Sequence, residues 1–148
     1  MSTSPPLRVI LERLPDAPEA AIPARATEGS AGFDLASAED VRLERGRVTL
    51  VRTGWKMRAP DGAFLEVRPR SGLSTKGVLM VNAPGTIDRD YAGEVKVPLT
   101  FLFDGVYEIR RGDRIAQVRL VADRAAVFEL GPVAPVASRS GGFGSTGR

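Results

Sequence analysis

The chain contains no cysteine and no histidine. The first absence excludes disulfides, thiolate metal sites and thiol nucleophiles. The second excludes a Ser-His-Asp triad, an imidazole base and a zinc–histidine centre. Acid–base chemistry therefore falls to carboxylates, tyrosine or lysine. Lysine is itself scarce: of the 21 basic residues 3 are Lys and 18 are Arg. The planar fork of arginine suits bidentate contacts to phosphate, although arginine content also follows genome composition. No apolar run approaches the roughly 20 residues that span a bilayer, and no basic run is long enough for a nucleic-acid tail. Neither a membrane nor a nucleic acid is expected as partner. Residues 1–6, Met-Ser-Thr-Ser-Pro-Pro, lack the basic and apolar regions of a signal peptide. A cytoplasmic protein with a disordered N-terminus is the expectation.

What is present is ordinary for one globular domain: 148 residues, 43% hydrophobic, 26% charged, with a net charge of +3. Short runs of Val, Ile, Leu, Phe and Thr alternate with Gly, Pro and Asp, which is the punctuation of an all-β chain. Strands are predicted over 7–14, 41–43, 47–51, 53–57, 63–67, 79–81, 94–103, 106–110, 114–121 and 125–130. The turn Glu44-Arg45-Gly46 joins the second and third of these as a hairpin. One helical turn or two is predicted around 71–76. Many short strands at this spacing imply a sandwich, jelly roll or barrel. Residues 131–138, with two prolines, read as an extended arm.

Five segments hold more polar and glycine residues than strand connections need. Ala31-Gly32-Phe33-Asp34-Leu35 places one carboxylate among small and apolar residues; Asp34 fits a site acid or a turn and capping residue. Arg68-Pro69-Arg70-Ser71-Gly72-Leu73-Ser74 fits an anion site beside Arg70 or a helix start capped by Ser71. The stretch from Asn82 to Glu94 holds an amide, three acids and a tyrosine. It fits a hairpin that turns Ile87 and Tyr91 to a pocket, or a long polar turn. Arg110-Arg111-Gly112-Asp113-Arg114-Ile115-Ala116-Gln117 opens a strand from a turn, in which Gln117 is either a buried site residue or exposed or backbone-bonded. The tail Arg139-Ser140-Gly141-Gly142-Phe143-Gly144-Ser145-Thr146-Gly147-Arg148 has four glycines and one ring. It fits a frayed terminus or a clasp that closes over a nucleotide, ring on base and donors on phosphate.

In this order the segments resemble the five motifs of the trimeric deoxyuridine triphosphate nucleotidohydrolases (dUTPases). They are Ala31-Gly32-Phe33-Asp34-Leu35, Arg70-Ser71-Gly72-Leu73, Gly85-Thr86-Ile87-Asp88 with Tyr91 and Gly93-Glu94, Gly112-Asp113-Arg114-Ile115-Ala116-Gln117, and Gly141-Gly142-Phe143-Gly144-Ser145. The likeness runs from about residue 7 to the end. It implies a β-jelly-roll-like barrel (the dUTPase-like β-clip) over 7–130, with an arm and clasp over 131–148. It also implies a homotrimer whose active sites draw residues from three subunits.

The reaction implied is Mg²⁺-assisted hydrolysis of dUTP to dUMP and pyrophosphate, which keeps uracil out of DNA and supplies dUMP for thymidylate. By the resemblance, Asp88 activates the water that attacks the α-phosphorus, and Asp34 holds a Mg²⁺-bound water. Arg70, Ser71, Gly72 and Gln117 contact phosphates. Asn82 and the backbone of Gly85, Thr86 and Ile87 read the uracil edge, and Tyr91 packs on the deoxyribose and rejects a 2′-OH. Lys96 is a further substrate contact, Phe143 stacks on uracil beside Gly144 and Ser145, and Arg139 reaches the phosphates. Two positions depart from the usual pattern: Phe101, where Asn is frequent, and Asp90, where Gly is common. The alternatives are a dCTP deaminase-like enzyme and a non-catalytic nucleotide-binding protein of the same fold. In the deaminases a catalytic glutamate stands in the strand after the Ile-Asp segment, where this chain has Pro98.

Overall fold

Residues 5–134 are described by the computed structural model. Eleven strands and one short helix follow in chain order: β1 (Ile10–Arg13), β2 (Phe33–Ala36), β3 (Val41–Glu44), β4 (Thr49–Arg52), β5 (Trp55–Arg58), β6 (Ala63–Arg68), α1 (Ser71–Ser74), β7 (Val78–Met80), β8 (Gly85–Ile87), β9 (Lys96–Phe101), β10 (Val106–Ile109) and β11 (Arg114–Ala122). All the strand pairs are antiparallel. They form a four-stranded sheet in the order β2-β11-β6-β8, a three-stranded sheet β4-β9-β7, and the ribbons β1-β5 and β3-β10. The architecture is the jelly-roll-like all-β one that the sequence implied.

Alternation decides which face each strand buries. Ala63, Leu65 and Val67 of β6 and Val97, Leu99 and Phe101 of β9 point into one core, while their neighbours face outward. Leu35, Leu43, Val51, Leu99, Ile109 and Ile115 are at most 2% exposed, and each such side chain contributes about 1.5–3 kcal/mol. Phe101 closes one end of the core, edge-on to Phe103 at 5.8 Å between ring centroids and tilted to Tyr107 at 5.7 Å. An aromatic ring at this position is therefore a packing choice. Among the described residues, no helix is long and apolar enough to cross a membrane.

Four local readings are corrected. The segments flanking Glu44-Arg45-Gly46 do not form a hairpin: β3 pairs with β10, and β4 pairs with β9. The turn itself forms, with Gly46 at φ 71°, but it sends the chain from one sheet to another. Residues 125–130 are not a strand, because no sheet edge of their own chain receives them; Val127, Phe128 and Leu130 are 93–102% exposed. Residues 33–36, read only for their acid, form strand β2. The helical turn appears as α1, but Arg70 occupies the N-cap and no side chain caps it, so Ser71 has no capping role.

Candidate active site

Segment 81–95 leaves β7, lends three residues to the edge of β6 as β8, and returns as β9. It encloses a cavity of about 180 Å³ between β6, β7 and β9. Asn82, Gly85, Thr86, Ile87, Asp88, Tyr91 and Lys96 all line it, with Val67, Met80, Glu94 and Val95. Gly85 is closely packed: a Cβ there would stand 3.1 Å from both the Asn82 amide nitrogen and the Met80 methyl, so those side chains would have to shift. Asp88 follows β8 directly with an exposed side chain, and its carbonyl accepts the Tyr91 N–H at 3.1 Å.

The Tyr91 hydroxyl donates to the Glu94 carbonyl at 2.9 Å, which bends the ring across the backbone of Gly93. A Cβ on Gly93 would lie 2.5 Å from that hydroxyl. Behind the pocket the Glu94 carboxylate, 11% exposed, accepts from Arg52 Nε at 3.0 Å and from the Gly54 N–H at 3.0 Å. Arg52 Nη2 also reaches Asp16 at 2.9 Å. This hydrogen bond holds the Asp16 carboxyl below its ordinary range, and its two carboxylate partners, Asp16 first, raise the Arg52 guanidinium further. The charges form a fixed buttress behind the pocket wall.

A second group lies where β2, β11 and the end of β6 meet. Asp34 of β2 faces Gln117 of β11 in register. Its carboxylate accepts from Arg114 Nη1 at 3.3 Å and stands 3.2 Å from Arg70 Nε as an ion pair. Arg70 Nη1 also donates to the Arg114 carbonyl at 3.0 Å. The half-buried Gln117 donates its amide N–H to the Pro69 carbonyl at 3.1 Å. Its amide oxygen occupies the space left by Gly32, where a Cβ would be 2.7 Å away. Ser71 and Gly72 are exposed at the start of α1. A hollow of about 270 Å³ adjoins this group, lined in part by Arg70, Lys76 and Arg114.

In the order β2-β11-β6-β8 three strand spacings separate Asp34 on β2 from β8, about 14 Å, and the Arg70 group spans from that far edge to the end of β6. The fold thus brings Asp34, Arg70 and Gln117 together, and separately Asn82, Gly85, Thr86, Ile87, Asp88, Tyr91 and Lys96. Arg139, Phe143, Gly144 and Ser145 lie outside the described residues. Sequence reading assigned no role to the Glu94 carboxylate or to Arg114. Glu94 had no local signal, since its partners Arg52 and Gly54 are distant in the chain, and Arg114 gained its place through a strand irregularity.

A sequence model of the dUTPase family matches residues 18–147. The deoxyuridine 5′-triphosphate nucleotidohydrolase of Zymomonas mobilis is 45% identical over 143 residues, 95% of this chain and 98% of that protein. The enzyme of the same name from Brucella melitensis biotype 2 is 47% identical over 152 aligned positions, covering 99% of this chain and 96% of that protein. Among solved structures, the dUTPase of Staphylococcus bacteriophage 80alpha with dUpNHpp superposes with a TM-score of 0.80 at 25% identity, covering 95% of this chain and 98% of that one. The dUTPase from Streptococcus mutans gives 0.74 at 28% identity, covering 80% and 98%.

Proposed function

The chain belongs to the dUTPase family and hydrolyses dUTP, and we propose that it does so by attack of an Asp88-activated water on the α-phosphorus. The water gives one proton to the Asp88 carboxylate as its oxygen bonds to phosphorus. The bond to the bridging oxygen breaks, leaving dUMP and pyrophosphate. The observation that carries this reading is the exposed carboxylate of Asp88 at a pocket walled by Tyr91 and floored by β8. A carboxylate is the fitting base in a chain without histidine.

The Asn82 amide and the backbone from Gly85 to Ile87 bond the uracil edge, and a site built for those bonds rejects a base with the wrong donors by roughly 10⁴-fold. Tyr91 packs on the deoxyribose and leaves no space for a 2′-OH. Lys96 adds a cation at the pocket wall. Arg70, Ser71, Gly72 and Gln117 bind the phosphates and stabilise the charge that develops on them. Arg139, Phe143, Gly144 and Ser145 close over the bound nucleotide.

Asp34 offers a hard oxygen donor, and no cluster of three or more potential metal ligands forms among the described residues. Such a set fits Mg²⁺, which keeps its waters and takes phosphate oxygens as ligands, with Asp34 holding one of those waters. When bound, the ion offsets charge on the triphosphate. The separation of the Asp88 pocket from Asp34 across the sheet supports a homotrimer in which each active site joins residues of different copies. We place the protein in the cytoplasm.

The test is pyrophosphate release with Mg²⁺ from dUTP, dCTP, TTP and UTP, for the native chain and Asp88→Asn. Release from dUTP alone, lowered about 10²-fold or more by Asp88→Asn, is the expected result. A folded protein that releases pyrophosphate from none of them overturns the reading, and ammonia from dCTP then identifies a deaminase.

A further inference from the structure

Arg114 and Gln117 stand three residues apart on β11, so a regular strand would point them to opposite faces. They share a face because the register of β11 against β2 shifts between Arg114 and Ala116. Arg114 pairs with Ala36 and Gln117 with Asp34, and Ala36 and Asp34 lie two apart on β2. The irregularity buries Ile115 and Ala116 consecutively, at 2% and 0% exposure, and turns Arg114 out beside Asp34. A β-bulge is a device for re-aiming one side chain, and here it sets a second guanidinium against the carboxylate that Arg70 already touches.

We propose that Arg114 is a positioning residue that keeps Arg70 open for a phosphate. The inference rests on the reading of Arg70 as a phosphate contact. Asp34 has two oxygens and Arg70 a two-pronged fork, so the two would pair face to face, in the arrangement arginine and carboxylate prefer. Arg114 prevents this by taking Asp34 Oδ2 through Nη1, while Arg70 meets Oδ1 through Nε as an ion pair at 3.2 Å. The Arg114 carbonyl meanwhile accepts from Arg70 Nη1 and fixes the fork's direction. Arg70 is thereby oriented by one hydrogen bond and one ion pair, while its Nη2 makes no hydrogen bond to Asp34 or Arg114. Without the Arg114 side chain, Asp34 Oδ2 swings to Arg70, and an incoming phosphate has to displace an intact bidentate pair.

The test is a double-mutant cycle on the full chain, with dUpNHpp and deoxyuridine as probes. Arg114→Gln is expected to weaken dUpNHpp about tenfold while deoxyuridine, which has no phosphate, binds within about twofold of the native affinity. In an Arg70→Ala background the same substitution changes dUpNHpp binding by less than about twofold, because the residue it acts through is gone. Unchanged dUpNHpp affinity in Arg114→Gln overturns the proposal. So do additive losses, which would make Arg114 a direct phosphate contact, and equal losses for both probes, which would make its role structural. Arg114→Lys, which keeps the charge and loses the fork, carries the same cycle if Arg114→Gln does not fold. A native protein that binds neither probe overturns the functional reading itself, whereas native binding with an unresponsive Arg114 overturns only this inference.

Discussion

Glycine acts at this site chiefly by what it leaves out. Gly93 has an ordinary backbone, yet a single methyl on it would collide with the Tyr91 hydroxyl at 2.5 Å. Gly93→Ala is expected to break the hydrogen bond from Tyr91 to the Glu94 carbonyl and push the ring from the sugar position. The ratio of kcat/KM for dUTP over UTP should then fall about tenfold or more, since the site loses the wall that rejects a 2′-OH. The melting temperature should move little, because Tyr91 is 47% exposed. An unchanged ratio would mean that Tyr91 does not select the sugar. At this scale the sequence singled out the stretch from Asn82 to Glu94 by its polar and glycine content, and folding brings Asn82, Gly85, Asp88 and Tyr91 of it to one pocket; the role of Asp88 came from the resemblance alone. Glu94 and Arg114 were not readable as they act, since the role of each is set by partners that folding brings from elsewhere.

Connections between strands show where local chemistry decides and where it does not. Gly54, between β4 and β5, has φ 76°, and a Cβ there would meet the Ala20 and Ala17 methyls at 2.7 and 2.8 Å. Both alanines are buried in the connection between β1 and β2. Gly54→Ala thus combines left-handed strain with overpacking and should cost about 2 kcal/mol or more. It should lower the urea midpoint without changing the slope of the transition. A loss of only a few tenths would show that the connection relaxes freely. Strands β6 and β9 were legible because alternation fixes both their existence and their inward face. The turn at Gly46 was legible as a turn, but its consequence was not: the same glycine suits a hairpin or a crossing between sheets, and the partners β10 and β9 lie far along the chain. The bulge in β11 left no trace either, because Ile115 and Ala116 read as two ordinary apolar residues until β2 is in place.

Taken as a whole, the molecule exposes apolar groups that none of the described residues cover. Val127, Phe128, Leu130 and Val133 are 93–102% exposed along a segment that leaves β11 and pairs with no strand. Leu50 and Leu79 stand out from the outer face of the three-stranded sheet as well. Burying one such side chain against a neighbouring copy contributes about 1.5–3 kcal/mol, so the segment 125–130 earlier read as a strand has the composition of one awaiting a partner edge. The double substitution Phe128→Asp with Leu130→Asp tests this, since neither side chain touches the core of its own subunit. If the segment joins the copies, the native chain sediments at micromolar concentration as a trimer and the variant as a lighter species. If, as proposed, each active site joins the Asp88 pocket of one copy to the phosphate contacts of another, the variant's turnover of dUTP falls with the trimer. A variant that keeps both native mass and native turnover would show that the subunits are joined elsewhere, with the Leu50 and Leu79 face as the remaining apolar surface.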